Sequence, residues 1–256
     1  VITESGVFKD GVEINNFNLA KYMDEDGGKV HAMAATLEDY EAFFAEMLMQ
    51  AEDVIHFSLA KNIGKSYENA ISASKGFDHV HVVNTGQFSG GMAMLVKDAV
   101  ADAAAGMSVD TIIERAKNNS KNITTFIYLP KPVHFYENKL MSDWLYALVK
   151  NSNIHLRMIV KNDAFKWGGF YMGRNESARR RFIRRGFIPK RLFDSRECYI
   201  GHVELTQKEL NTLKNDLKKD GLFDKININD VSVVSASNAG VGAMCFSFRY
   251  NRMIKK

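Results

Sequence analysis

Two rhythms of apolar residues alternate along the first half of the chain. In TLEDYEAFFAEMLMQAE (36–52), apolar positions 40, 43, 44, 47 and 48 form one helical stripe, and Thr36 with Asp39 makes a capping-box pattern. VIHFS (54–58) has the length and character of a buried strand, and KSYENAISASKG (65–76) reads as a short helix stopped by Gly76. HVHVVN (79–84) alternates as a strand, passes through Asn84-Thr85-Gly86 and Gly90-Gly91, and enters a helix running to Gly106. Ser108 then caps a further helix, VDTIIERAK. Strands and helices in this order predict right-handed crossovers and a parallel sheet with helices on both faces.

The rhythm changes in the second half. IHLRMIVKNDAFKWGGFYMG (154–173) predicts two strands joined by a turn at Asn162-Asp163, and ECYIGHVEL (197–205) a half-buried strand. TQKELNTLKNDLKKDG (206–221) is an amphipathic helix: Thr206 and Glu209 cap it, Leu210, Leu213 and Leu217 form its stripe, and Gly221 ends it. VSVVSASNAGVGAMCFSF (231–248) reads as strand, glycine loop, strand. The pattern predicts an α/β fold of two domains, a parallel α/β domain over 1–122 and a smaller mixed α/β domain over 123–256.

Composition supports an ordered globular chain, with 46% apolar and 25% charged residues and three prolines among 256. No run approaches the roughly 18 consecutive apolar residues of a membrane span, and the first residues lack a signal-peptide pattern. Cys198 and Cys245 sit singly in apolar runs and are expected as buried thiols in a reducing, cytoplasmic setting. The net charge is +4, and much of the basic excess lies in RNESARRRFIRRGFIPKR (174–191), with eight basic residues and one acid. On a helix, Arg180, Arg181, Arg184 and Arg185 share one face, opposite Phe182, Ile183 and Phe187. The aromatic residues fall on the core side and no nucleic-acid motif is present, so this face is expected to be solvated or to dock a protein partner.

Two strand–loop–helix connections carry the candidate chemistry. LAKNIGKSYENA (59–70) offers backbone N–H groups, a charge and a hydroxyl at Gly64, Lys65 and Ser66; the loop at 84–91 offers Ser89 and Gly90. In a parallel sheet both emerge at the carboxyl edge, where ligands sit. Neither has the G-x-G-x-x-G or P-loop spacing, and a paired anion site and a pair of plain connections both fit the pattern. The seven histidines are scattered without metal-ligand spacing, His79 and His81 being ordinary neighbours on one strand face. G-x-S-x-G is absent and no histidine is placed to activate a serine, so no catalytic residue and no metal site are expected.

The ordered segments resemble the DegV family of bacterial fatty-acid-binding proteins. GVFKDGVEI (6–14) resembles the family's "DGvdI" region, LAKNIGKSYENA its S-S-x-L-S-G-T-Y-x-S-A segment, and VHVVNTGQFSGGMAMLVKDA its D-S-x-x-x-S-x-G-x-G segment. FYENKLMS (135–142) occupies the slot of "y-L-x-x-G-G-R-I-s", and SNAGVGAMCFSF that of the terminal H-x-G-P-G motif. Family members open with a further strand and a D-S-x-x-D-L segment before the region matching Val1, so the chain is expected to begin inside the pattern. The resemblance implies a non-catalytic carrier holding one long-chain fatty acid between or near its domains and presenting the carboxylate to a fatty acid kinase, with no other cofactor. The head-group positions it implies are Ala32 and Met33 (a Thr-Ser pair in the family), Gly64, Lys65, Ser66, Ser89, Gly90, Lys139 (for arginine), Asn238 (for histidine) and Gly240. The other reading is an interaction module that keeps the fold, has lost the ligand, and docks through the arginine face.

Overall fold

The computed structural model describes residues 1–24, 27–150, 152–186, 193–219 and 221–250. The chain opens with a two-stranded hairpin, β1 (Ile2–Thr3) and β2 (Gly6–Val7), then α1 (Asn16–Asp24) and α2 (Leu37–Leu48). Next come β3 (Val54–Ser58), α3 (Ser66–Ser74), β4 (Val80–Asn84), α4 (Gly90–Ala104), α5 (Val109–Ser120) and β5 (Ile123–Leu129). The remainder is α6 (Val133–Glu137), α7 (Asp143–Val149), β6 (Ile154–Lys161), β7 (Ala164–Met172), α8 (Asn175–Gly186), β8 (Phe193–His202), α9 (Gln207–Lys219), β9 (Lys225–Asp230), α10 (Val233–Ala239) and β10 (Met244–Tyr250).

The chain divides into two compact units, but not at a single cut. The smaller holds Ala34–Thr124 and Val160–Ala164; the larger holds Val1–Met33, Thr125–Ile159 and Phe165–Lys256. The chain crosses from the smaller unit to the larger between Thr124 and Thr125, and the first 33 residues group with the C-terminal half. Two long-range sets of bonds fix them there: Asn16 Nδ2 donates to Val231 O at 2.5 Å, and Asp10 accepts from the Val233 and Val234 N–H groups at 2.9 and 3.1 Å.

In the smaller unit β3 and β4 pair in parallel, Val54 opposite Val80 through Ser58 opposite Asn84. The parallel sheet expected here is, among the described residues, this pair alone. Its core gathers Phe44, Ala70, Ala73 and Val80, with Tyr40, Val54, Phe77 and Val82 around them; α4 packs on β3 and α5 on β4. The sequence signals for helix starts hold. Thr36 and Asp39 cap α2 reciprocally, and Ser108 accepts from Thr111 N to begin α5.

The larger unit is built on a six-stranded sheet ordered β7-β6-β5-β10-β8-β9. β5 is buried at every position, as an interior strand must be. Phe182 of α8 sits at the core, its ring 5.2 Å from Tyr128, 5.6 Å from Tyr171 and 5.4 Å from Phe246, and Leu213 and Leu217 of α9 join the same cluster. Asn162 and Asp163, at φ 53° and 61°, form the left-handed two-residue turn expected between β6 and β7. Cys198 and Cys245 are free and buried, and burial pushes the Cys198 thiol well up. One element differs in kind: residues 233–239, read as a strand, form α10. Ser232 accepts from Ser235 N, and Asp10 satisfies two further N–H groups at this start, so capping overrides the β-branched composition of VSVVS.

Candidate functional site

The smaller unit holds Gly64, Lys65, Ser66, Ser89 and Gly90, on the connections that follow β3 and β4. Because the strands are parallel, both loops leave from the same edge. They are bound to each other. Ala60 N donates to Gln87 O at 3.0 Å, Thr85 N to Ser58 O at 3.1 Å, and Thr85 Oγ1 to the same oxygen at 2.7 Å. Asn84 Oδ1 accepts from Lys61 N at 3.2 Å and from Gly86 N at 3.1 Å, which closes an Asx turn at the strand end.

Bonds from α5 and from the β6–β7 turn hold this scaffold in place. Gln87 Nε2 donates to Ser120 O and Ile123 O, each at 3.2 Å, and Ser120 Oγ donates to Thr85 O. Asp163, at the tip of the β6–β7 hairpin, accepts from Asn84 Nδ2 at 3.1 Å and lies 3.7 Å from Lys61 Nζ. None of these supporting residues stands out in the sequence as chemistry. Only the N-T-G punctuation after β4 announces the turn.

Ser89 is the unusual residue. Its backbone, at φ 49° and ψ −124°, lies in a region that glycine adopts freely, and its hydroxyl makes no capping bond to α4. The hydroxyl is thereby presented at the helix start. Ser66 bonds to the Tyr40 hydroxyl, which ties α3 to α2. Lys65 does not supply a free charge: its ammonium lies 2.7 Å from Glu68. Ser58 Oγ, at the end of β3, is buried without a hydrogen-bond partner, and so is His56 Nε2. The His56 ring meets Tyr40 and Phe44 edge-on at 5.4 and 5.5 Å, and burial holds its pKa below the ordinary value.

The other expected head-group residues belong to the larger unit. Lys139, between α6 and α7, is exposed and has φ 58°, so its backbone suits one of the glycines of the G-G-R slot better than the arginine. Asn238 directs one of its two amide N–H donors to Val234 O at 2.9 Å within α10. Gly240 is buried at φ 74°, and a Cβ there would lie 2.8 Å from His134 Cδ2. His134, passed over in the sequence, is the imidazole that covers this loop, with Nδ1 3.4 Å from Glu137. Ala32 and Met33 end the N-terminal segment, with Met33 exposed.

The arginine face is sorted by α8. Arg180, Arg181, Arg184 and Arg185 are exposed and Phe182 and Ile183 buried, as the periodicity predicts; Phe187 lies outside the described residues. Arg180 is drawn to Glu176 at 3.0 Å and to Asp216 at 3.8 Å, and Arg181 donates to Met172 O. Arg179 turns inward and pairs with Glu209 at 2.8 Å. His79 and His81 both lie against Asp53, at 3.2 and 3.1 Å, and hold its carboxyl below the usual range. Among the described residues no group of three or more His, Cys, Asp or Glu side chains is arranged to hold a metal ion. No described helix is long and apolar enough to cross a membrane.

No curated protein matches the chain. A DegV family protein from Thermus thermophilus, described as fatty acid binding, is 17% identical and superposes with a TM-score of 0.84, over 96% of this chain and 89% of that one. DegV from Bacillus subtilis, described as a fatty acid binding protein, gives 12% and 0.82 over 98% and 89%. The Streptococcus pneumoniae fatty acid kinase B3 protein, solved loaded with linoleic acid, gives 14% and 0.81 over 98% and 90%. At these identities the likeness establishes the fold. The family model "Uncharacterised protein, DegV family" matches residues 1–251, and the chain belongs to the DegV family.

Proposed function

We propose that the chain is a cytoplasmic, non-catalytic carrier of a long-chain fatty acid, with the carboxylate held at the paired turns after β3 and β4. The observation that carries this reading is the Ala60 N to Gln87 O bond at 3.0 Å, which sets the two connections side by side with the Ser89 hydroxyl unspent on its helix. Backbone N–H groups at Gly64–Ser66 and Gly90, with the Ser89 hydroxyl, are the donors offered to a carboxylate; the Ser66 hydroxyl is engaged by Tyr40. Lys65, engaged by Glu68, adds little. A C16 tail withdrawn from water is worth about 0.8 kcal/mol per methylene, enough to outweigh its ordering cost. Family membership supports the choice of ligand, as do relatives solved with linoleic and heptadecanoic acid. The fatty acid kinase B3 relative supports a partner kinase that acts on the presented carboxylate, leaving this chain to hold the acid.

Solvent extraction of the purified protein followed by mass spectrometry should recover a fatty acid, and palmitate should displace a fluorescent analogue. An empty extract together with no displacement overturns the reading. Two contacts favour a second reading, an interaction module that has lost the ligand: Lys65 is paired with Glu68, and one amide N–H of Asn238 is turned onto Val234 O. On that reading an acidic protein docks on Arg181, Arg184 and Arg185, and reversing those charges abolishes its capture by a protein that binds no fatty acid.

A further inference from the structure

In the larger unit, α7 and β7 leave an apolar strip uncovered. Trp144 and Leu148, 61% and 59% exposed, lie one turn apart on α7, and the Trp144 ring meets Trp167 edge-on at 6.2 Å. Trp167 shares its side of β7 with Phe165, which packs against Phe135 of α6. Simple alternation would next bring Tyr171 to this side, yet Tyr171 is buried against Phe182 of α8. The hairpin register gives the reason. The two-residue turn sets Lys161 opposite Ala164, whereas Gly173 N donates to Asn153 O at 2.8 Å, one residue out of that pairing. β7 therefore absorbs one extra residue, at Gly168-Gly169 where φ reaches 135°, and Phe170 and Met172 turn to the same side as Trp167. Both are at least half exposed.

The ends of α7 indicate what covers the strip. Asp143, held by the Tyr136 hydroxyl, opens its exposed face; Lys150 closes it; Ala147 is the small residue between. The seven residues separate the two charges by about 10 Å. We propose that this face pairs with itself on a second copy of the chain about a two-fold axis. The two α7 helices run antiparallel, each Asp143 facing the second copy's Lys150 and each Trp144 packing on the second copy's Leu148. A two-fold interface must be self-complementary, and one acid and one base at opposite ends of a helix satisfy that. Large side chains offer about 150–250 Å² each, so the five exposed residues present roughly 500 Å² per copy. A pair then covers about 1,000 Å², the size at which specific interfaces begin. An anionic bilayer would favour a rim of cations alone, and Asp143 stands on that rim. The inference is independent of the fatty-acid reading.

Sedimentation of the full chain across micromolar concentrations tests it. The expected result is a reversible dimer, weakened about tenfold or more by Ala147→Arg with unchanged circular dichroism and melting. Asp143→Lys and Lys150→Asp should each weaken it, and the two together should restore it. Leu148→Ser provides a milder probe should Ala147→Arg disturb folding. A monomer at every concentration, a dimer indifferent to both Ala147→Arg and Leu148→Ser, or no recovery in the double exchange overturns the proposal. So does capture of the monomer by phosphatidylglycerol vesicles through these same residues.

Discussion

Thr85 holds Ser58 twice: its N–H and its hydroxyl both donate to the Ser58 carbonyl oxygen, at 3.1 and 2.7 Å. The same hydroxyl accepts from Gln87 N at 3.2 Å, so one buried oxygen fastens both turns of the candidate site. Thr85→Val keeps the shape and leaves that buried N–H without this partner. We expect a loss of about 1–3 kcal/mol in urea denaturation, together with weaker fatty acid binding, because the turns lose their shared anchor.

Ser89 separates conformation from chemistry. Its φ of 49° with ψ of −124° suits glycine, so Ser89→Gly should stabilise the chain by up to about 1 kcal/mol while Ser89→Ala leaves stability nearly unchanged. Both remove the hydroxyl, and both should weaken fatty acid affinity to a similar extent in a fluorescence displacement titration. Equal affinity in all three proteins would place the carboxylate elsewhere.

His56 predicts an acid weakness. Burial lowers its folded pKa below the ordinary 6.5, so between those two values the unfolded chain binds more protons than the folded one. Its contribution is complete above pH 6.5 and falls as pH drops through that value towards the folded pKa. Urea midpoints should therefore be lower at pH 5.5 than at 7.5. His56→Phe, which keeps the ring contacts with Tyr40 and Phe44, should flatten that difference in part; His202, also lowered by burial, supplies the rest.

What could be read from the sequence was local. The Thr36–Asp39 and Thr206–Glu209 capping boxes, the Ser108 cap and the Asn162-Asp163 turn all involve residues within three positions of each other, and all are present. The order of segments also sufficed to identify the family. What escaped depends on distant partners. α10 owes its start partly to Asp10, 223 residues away, and the N-terminal segment joins the larger unit through contacts of the same span. At the candidate site, the loops were recognisable by their glycines, but the bonds that lock them come from Ser120 and Asp163, which no local pattern connects to Asn84. Lys139 adds a backbone feature that side-chain comparison with arginine does not carry: its φ of 58° marks a turn position.

The arginine run divides into one structural member and several exposed ones. Arg179 is almost fully buried and pairs with Glu209 at 2.8 Å, while Glu209 also accepts from the Thr206 N–H and hydroxyl at 3.0 and 2.9 Å. Arg179→Met removes the buried cation and leaves a Glu209 carboxylate that is one-third exposed and still held by Thr206, so it should cost about 1–3 kcal/mol by urea denaturation. Arg184→Ala, on the exposed face, should lie within about 0.5 kcal/mol of the parent.

Gly240 is fixed by two separate constraints, and a double substitution can tell them apart. At φ 74° any side chain strains the backbone, and a Cβ there would lie 2.8 Å from His134 Cδ2. Gly240→Ala should therefore destabilise by about 2 kcal/mol or more. His134→Ala removes the ring and leaves the φ unchanged. In the Gly240→Ala/His134→Ala protein the steric share should vanish, so the double variant should be more stable than the sum of the two single losses predicts, by roughly 1 kcal/mol. Strict additivity in urea denaturation would mean that the backbone conformation alone selects glycine, with the imidazole free to move aside.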